Sequence, residues 1–189
     1  MKSTILILFS LTAALFGQET VLELDPAQTQ VQFTLSDVLH TVRGSFKLKR
    51  GTVRYDFATH KSSGEIVIDA QSGDSGSSAR DKRMHKNILE SDRYPEIAFV
   101  PDHVDGTLAK ASVHGAFRIH GQDHEMTLMV ATSPAGDHLN VVTGFSIPYV
   151  AWGMKNPSTL FLRVGDKVNI DVHAVGQAHL AADARPITR

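Results

Sequence analysis

Apolar and polar residues alternate along most of the chain after its first 17 residues, which is the period of a β-strand with one buried face. Segments rich in glycine, proline and aspartate separate the alternating rows and predict turns. Many short strands of this kind are typical of an antiparallel sandwich or barrel. The apolar members of the rows are Val31, Phe33 and Leu35; Phe46 and Leu48; Val53, Tyr55 and Phe57; Ile66 and Ile68; Leu139, Val141, Phe145 and Ile147; and Val168, Ile170 and Val172.

One hairpin can be predicted residue by residue, in the segment SVHGAFRIHGQDHEMTLMV. With Gly121 and Gln122 as its two central residues, the glycine stands first, as a type II′ turn prefers. Arg118 then faces Glu125 on the polar side as an exposed ion pair. A shift of one residue would mix the two sides, so the pattern favours this register. The apolar side carries Val113, Phe117, Ile119, Met126, Leu128 and Val130.

One stretch breaks the alternation and has the pattern of a helix. Ser78 followed by Asp81 fits a capping box, in which side-chain oxygens accept hydrogen bonds from the free amides of the first turn. Met84 and Ile88 are four residues apart and share one helical face. We therefore expect a single inserted helix near residues 79–91, about three turns long.

The N-terminal residues have the composition of a secretory signal. Lys2 precedes an apolar run, Ile5 to Phe16, which is shorter than the about 20 residues that a membrane-spanning helix needs. We expect a signal peptide over residues 1–17, one domain over residues 18–178 and a loose tail over residues 179–189. This organisation predicts a periplasmic or secreted protein that does not span the membrane.

Composition excludes several classes of function. The 189 residues carry a net charge of −1 and no cysteine. A near-neutral charge gives no electrostatic reason to expect a nucleic-acid partner. The lack of cysteine excludes disulfides, thiolate catalysis, cysteine-based metal sites and a lipid-anchor cysteine. The sequence also contains no phosphate-binding or dinucleotide-binding glycine motif, so we expect no cofactor.

The tetrapeptide Gly-Asp-Ser-Gly, which contains Ser75, matches the nucleophile loop of trypsin-like serine proteases. A nucleophilic serine needs a base within hydrogen-bonding reach and donors for the oxyanion. Only His40 and His60 precede Ser75, and neither stands in a matching context. A flexible loop that leads into the helix explains the tetrapeptide better. We therefore predict no catalytic residue and no enzyme.

The ten histidines are the other source of candidate chemistry. His120 and His124 have the four-residue spacing of zinc ligands on a helix, but they flank the predicted turn and point to opposite faces. The spacing of the others, including His40, His85, His103 and His114, does not indicate a site. We predict no metal site. A metal-binding protein or metal-dependent enzyme, with histidines assembled from distant elements, stays as an alternative.

The segment RDKRMHKNILESDRYPEIAF resembles a signature of the YceI-like family. The resemblance extends over nearly the whole predicted domain, through VRGSFKLKRGTVRYD and HGAFRIHGQDHEMTL. It implies an extended antiparallel β-barrel similar to lipocalins, of about eight strands, with the helix near one end. It also implies an exported bacterial protein that binds an amphipathic isoprenoid lipid inside the barrel. The matching residues are Arg80, Asp81, Tyr94, Pro95, Ile97 and Phe99, then Gly44, Phe46 and Gly51, and Gly115, Ile119 and Gly121.

Three features of the helix depart from the family pattern. The helix is about one residue shorter, Ile88 and Leu89 replace an aromatic pair, and Arg83 stands near the position of a common histidine. These changes fall near the expected mouth of the barrel, so the identity of the lipid stays open.

The apolar rows and the resemblance together lead to a functional expectation. A lipid tail gains about 0.8 kcal/mol for each CH₂ group that it buries. We expect an exported protein that transports, stores or sequesters an isoprenoid or fatty lipid. The alternative is a filled barrel that acts as an interaction or stress-response module, and a homodimer stays open. The residues expected to line the pocket are Phe33, Leu35, Phe46, Ile66, Ile68, Met84, Ile88, Phe99, Phe117, Ile119, Leu128, Phe145 and Trp152.

Overall fold

A computed structural model describes residues 19–36, 41–158 and 163–181. The predicted signal peptide and most of the predicted tail lie outside these residues. The described residues contain no helix with the length and apolar content that a membrane span requires. They form strands β1 (Thr20–Leu24), β2 (Gln30–Ser36), β3 (Thr41–Asp56), β4 (Lys61–Asp74), β5 (Glu96–Thr107), β6 (Lys110–Ile119), β7 (Gln122–Ala135), β8 (His138–Ile147) and β9 (Val168–Leu180), and one helix, α1 (Ser78–Arg83), which continues as a π-helical segment (Met84–Leu89).

The strands form one closed antiparallel barrel with eight positions. Around the barrel the order is β3-β2-β9-β8-β7-β6-β5-β4, and the pairing of β4 with β3 closes the ring. Both β1 and β2 pair with β3 on one side and β9 on the other. These two strands therefore share one position, as a single strand with a break. The predicted all-β barrel with one inserted helix is confirmed.

The break between β1 and β2 follows from the Asp25-Pro26 dipeptide. Proline has no N–H to donate to a neighbouring strand. The Asp25 carboxylate instead accepts hydrogen bonds from the Ala27 N–H at 2.8 Å and the Gln28 side-chain amide at 2.6 Å. These bonds, led by the one from Gln28, hold the pKa of Asp25 below its usual value. The turn thus provides hydrogen-bond partners for polar groups that have no partner in a neighbouring strand.

The barrel has two different ends, which we name for use below. The helix end carries α1, the π-helical segment, the β6–β7 turn and the connection between β8 and β9. The hairpin end carries the short turns after β3, β5 and β7. Strand β9 extends to Leu180, so it includes the first two residues that the sequence analysis assigned to a loose tail.

The β6–β7 hairpin keeps the predicted faces but not the predicted turn. Its central residues are His120 and Gly121, with φ values of 52° and 74°, and a type I′ turn requires positive φ at both positions. Arg118 therefore pairs with Asp123 and donates to both carboxylate oxygens, at 2.7 and 3.0 Å, instead of pairing with Glu125. The predicted pair is wrong. Because the partner moves by two residues, each side chain stays on its predicted face.

The predicted helix exists, but its first turn is not capped as expected. The N-cap is Ser77, and it makes no side-chain capping bond. The Asp81 carboxylate reaches back instead to the N–H and hydroxyl of Ser75. After Arg83 the helix widens into the π-helical segment, which ends at Glu90 in the left-handed conformation, with φ 47°. The predicted capping box at Ser78 is therefore wrong, because the Asp81 carboxylate accepts its hydrogen bonds from Ser75 in the preceding loop.

Candidate functional site

The barrel encloses a cavity of about 850 Å³. Its wall is built from inward-facing side chains of all nine strands and of the helix, which are mainly aliphatic and aromatic. Leu22 and Leu108 line it at the hairpin end, and Leu35 and Ile88 line it at the helix end. The cavity therefore extends along the whole barrel. Its volume lies within the range of about 300–1,000 Å³ that is usual for ligand pockets, and this space contradicts the alternative of a filled barrel.

Twelve of the thirteen residues expected to line the pocket are on the wall of this cavity. They come from seven strands and from the π-helical segment, so the barrel brings together positions that are far apart in the sequence. Whether they contact a ligand is part of the proposal below. The twelve are Phe33, Leu35, Phe46, Ile66, Ile68, Met84, Ile88, Phe99, Phe117, Ile119, Leu128 and Phe145.

Trp152 is the exception, and it packs beside the wall. Its indole stacks on the His124 ring, with centroids 4.0 Å apart and planes 5° apart, and lies 5.9 Å from Phe117. The turn after β8 instead directs Tyr149 and Met154 into the cavity lining, where they are 5% and 3% exposed. Tyr149 continues the alternation of the β8 row, so that signal was present in the sequence.

Sequence reasoning also missed the contribution of β9. Val168, Ile170 and Val172 line the cavity together with Ala174. Their alternation was recognised, but it did not show which face of the strand is inside. The closed barrel determines which face of β9 is inside, because a sheet has an interior only when it closes.

The charged side chains of the wall lie at the helix end. Arg80 and Arg83 of α1 line the cavity there, next to Ser75 and Ser77. Arg80 is held in place because it donates from Nε to the Ser75 hydroxyl at 2.8 Å and from Nη2 to the Ser75 carbonyl at 2.7 Å. The site is therefore an apolar tunnel with two guanidinium groups near one end.

Ser75 is a structural residue of this end of the barrel. It is 7% exposed, and its hydroxyl donates to the Asp81 carboxylate while it accepts from Arg80. Burial works against the ionisation of Asp81, but the hydrogen bonds from Ser75 outweigh it, and the pKa of Asp81 lies below its usual value. A carboxylate, not an imidazole, is thus the partner of this hydroxyl, which differs from the arrangement of a trypsin-like nucleophile.

His85 fixes the π-helical segment onto β4. Its Nδ1 lies 3.0 Å from the Ser91 hydroxyl and its Nε2 lies 2.9 Å from the Gly73 carbonyl oxygen. The carbonyl can only accept, so Nε2 carries the proton and Nδ1 accepts from the serine. A Cβ atom at Gly73 would lie 2.6 Å from Met84 and from Phe46, so glycine at this position lets the helix approach the wall. No histidine among the described residues lines the cavity.

The two tyrosines on the wall are neutral members of the lining. Burial raises the pKa of Tyr55, and burial together with the nearby Asp166 raises the pKa of Tyr149. The Tyr149 hydroxyl donates to the Gly165 carbonyl at 2.7 Å. Neither tyrosine therefore adds a charge to the tunnel at neutral pH.

A closed barrel with an apolar interior and a helix across one end has a counterpart among known protein families. The sequence model described as the YceI-like domain matches residues 22–176. The chain belongs to the YceI-like family. The match covers every strand of the barrel and the helix, apart from the ends of β1 and β9, so the family resemblance is confirmed. A comparison with curated protein sequences gave no significant match.

Three solved structures share the fold. BcnA of Burkholderia cenocepacia superposes with a TM-score of 0.69 at 22% identity, over 80% of this chain and 98% of BcnA. A polyisoprenoid binding domain from Saccharophagus degradans gives a TM-score of 0.65 at 16% identity, over 84% and 98%. The YceI protein of Campylobacter jejuni gives a TM-score of 0.55 at 13% identity, over 94% and 98%. At these identities the likeness establishes the fold.

Proposed function

We propose that this YceI-like protein binds one amphipathic long-chain lipid, an isoprenoid or a fatty ligand, in the barrel. The observation that carries the proposal is the apolar cavity of about 850 Å³ along the barrel. Each CH₂ group that moves from water into such a space contributes about 0.8 kcal/mol. The polyisoprenoid binding described for the relative from Saccharophagus degradans supports the same ligand class.

The ligand would enter the site in one orientation. Its tail would occupy the apolar length of the tunnel, and its polar head would lie at the helix end near Arg80 and Arg83. Guanidinium groups donate several hydrogen bonds to carboxylate or phosphate oxygens. The two charged groups at one end of the wall therefore favour an amphipathic ligand over a pure hydrocarbon.

The cellular role is transport, storage or sequestration of the lipid outside the cytoplasm. The short apolar run at residues 5–16 supports export as a secretory signal. Such binding needs no catalytic group, because burial of the tail and contacts of the head provide the affinity.

Occupancy of the tunnel can be tested by filling it. Val130, Thr143 and Val172 are paired across β7, β8 and β9, and all three line the cavity. We expect Val130→Phe combined with Val172→Phe to obstruct this layer and to abolish lipid binding. Native mass spectrometry of protein purified without detergent measures the bound lipid, and uptake of an apolar fluorescent probe provides a second readout.

The matched control is Met129→Phe, since Met129 precedes Val130 and its side chain is 55% exposed on the outside. This variant should bind lipid like the original protein. The proposal fails if the original protein carries no lipid and takes up no probe, or if the inward double variant still binds normally while it remains folded by circular dichroism.

A further inference from the structure

Three side chains with metal-ligating atoms meet on the outer wall at the hairpin end. His60 lies in the turn between β3 and β4, and His103 and Asp105 lie on β5. Their candidate ligand atoms all lie within 4.8 Å of one another. The side chains are about half exposed, at 51%, 50% and 55%. A dissolved ion can therefore reach them directly.

The carboxylate of Asp105 is the centre of this cluster. His60 Nδ1 lies 2.7 Å from Oδ1 of Asp105, and His103 Nε2 lies 2.9 Å from Oδ2. The two imidazole rings are nearly parallel, 18° apart, with centroids separated by 5.6 Å. One nitrogen of each ring thus points toward the same carboxylate, as two ligands of one ion would.

The backbone holds the cluster together although His60 and His103 are 43 positions apart in the sequence. The N–H of Val104 donates to the His60 carbonyl at 3.0 Å, which ties the turn to β5 directly beside Asp105. His60 itself has φ 58°, in the left-handed region that few non-glycine residues adopt. The register shift between Pro101 and His103 also falls on this part of β5. The main-chain positions of His60 and of the strand that carries His103 and Asp105 are therefore fixed relative to each other.

We propose that His60, His103 and Asp105 form a site for a divalent transition-metal ion of the Zn²⁺ class. Two imidazoles and one carboxylate are a common protein contribution to such sites, with water completing the coordination. Bonds of about 2.0–2.2 Å at tetrahedral angles place neighbouring ligand atoms about 3.3 Å apart. When an ion binds, the two nitrogen–oxygen distances of 2.7 and 2.9 Å therefore need to lengthen by about half an ångström. Each neutral ring then carries its proton on the other nitrogen.

A neighbouring cluster is the weaker candidate. Asp102, His114 and Glu125 also converge, with His114 at 2.8 Å from Asp102 and 3.3 Å from Glu125. This group offers one imidazole and two carboxylates, a donor set better suited to harder cations than to Zn²⁺. The number of imidazoles thus assigns the Zn²⁺ site to His60 and His103.

The metal site is separate from the lipid cavity. His60, His103 and Asp105 are absent from the cavity wall, and they stand on the outside of the hairpin end, whereas Arg80 and Arg83 line the helix end. The two proposals can therefore succeed or fail independently. The inference concerns metal binding alone.

Zn²⁺ titration of the untagged protein, followed by isothermal calorimetry, tests the site. We expect one Zn²⁺ ion per chain. Loss of a side chain that only supports a metal ligand costs about 10- to 100-fold in affinity, so loss of a ligand should cost at least as much. His60→Asn, His103→Asn and Asp105→Asn should each weaken binding about tenfold or more. His173→Asn, at an exposed position of β9, should leave the affinity unchanged.

The outcomes separate the alternatives. X-ray absorption of the Zn²⁺ complex should show two imidazole nitrogens at about 2.0–2.1 Å. The proposal is overturned if no saturable binding occurs, or if the absorption shows oxygen ligands alone. It is also overturned if His114→Asn abolishes binding while His103→Asn does not, because the ion would then occupy the neighbouring cluster. Circular dichroism and thermal midpoints of the variants establish that each remains folded.

Discussion

Single residues at the helix end show how context determines chemistry. Ser75 stands in a tetrapeptide typical of a protease nucleophile, yet its hydroxyl lies between the Asp81 carboxylate and the Arg80 guanidinium. The same carboxylate also accepts the Ser75 N–H at 2.9 Å. Asp81 thereby fixes the loop at Ser75, which in turn holds the Arg80 side chain at the cavity wall. The function of Ser75 is therefore to position a charged residue.

The charge on Asp81 should contribute stability that depends on pH. Because the folded-state pKa of Asp81 lies below the value of about 3.9 for a free aspartate carboxyl, the contribution is fully present above that value. It is lost as the pH falls through the folded-state pKa. We expect Asp81→Asn to be less stable than the original protein at pH 7 and the difference to shrink near pH 3. Urea unfolding at several pH values measures this difference.

Asp137→Asn is the control, since Asp137 is 85% exposed in the β7–β8 turn. Its effect should be small at every pH. A stability difference for Asp81→Asn that stays constant from pH 7 to pH 3 would contradict this role of the charge.

Among the elements, the helix is positioned by few contacts and closes one end of the tunnel. Its short α-helical part and its π-helical part place Met84, Ile88 and Leu89 on the cavity wall. Short helices are marginal by themselves, so tertiary contacts hold this one in place. His85 provides two of them, to Ser91 and Gly73.

Removal of His85 should therefore destabilise the helix end. Ser91 is 2% exposed, so its hydroxyl would lose its acceptor in a buried place. Such a loss costs about 1–3 kcal/mol. We expect His85→Ala to lower the free energy of unfolding by this amount and to speed hydrogen exchange of amides in residues 84–91.

His173→Ala, which removes an exposed histidine from β9, is the matched control, and it should change the free energy by no more than about 0.5 kcal/mol. If His85→Ala has an equally small effect, the two hydrogen bonds do not hold the helix.

The whole molecule combines a closed wall with an open interior. Closure gives every described strand two hydrogen-bonded neighbours, so none of them is an edge strand of the sheet. The same closure leaves a wide apolar space that the side chains do not fill. Stability of the empty protein therefore rests on the wall, and a ligand that fills the space adds to it.

Ligand binding should consequently raise the thermal midpoint of the protein. A ligand at 100 times its dissociation constant adds about 2.7 kcal/mol to the stability of the state that it binds. For a chain of this size, that corresponds to roughly 5–10 °C. Differential scanning calorimetry of delipidated protein, with oleate or a C20 isoprenoid alcohol, measures the shift.

The double variant Val130→Phe with Val172→Phe should show no shift with either ligand. An equal shift in this variant and in the original protein would mean that the lipid binds elsewhere and that the tunnel is not its site.

The sequence by itself determined the strands other than β1, the place of the helix, and the apolar faces that carry twelve of the cavity-lining residues. These features follow from local rules, because alternation assigns side chains to faces and a helix requires its own periodicity. The hairpin shows the limit of such rules. The faces of β6 and β7 were predicted, but the turn at His120 and Gly121 was not, because several turns preserve the same alternation.

Only the tertiary structure decided which faces enclose the cavity, where Trp152 packs, and how His60 meets His103 and Asp105. Each of these depends on residues that are distant in the sequence, and the period of a strand carries no information about its partners. Closure of the sheet creates an inside, and the turn after β3 bends back to β5. Closure of the sheet forms the tunnel, and the contact between this turn and β5 forms the histidine cluster.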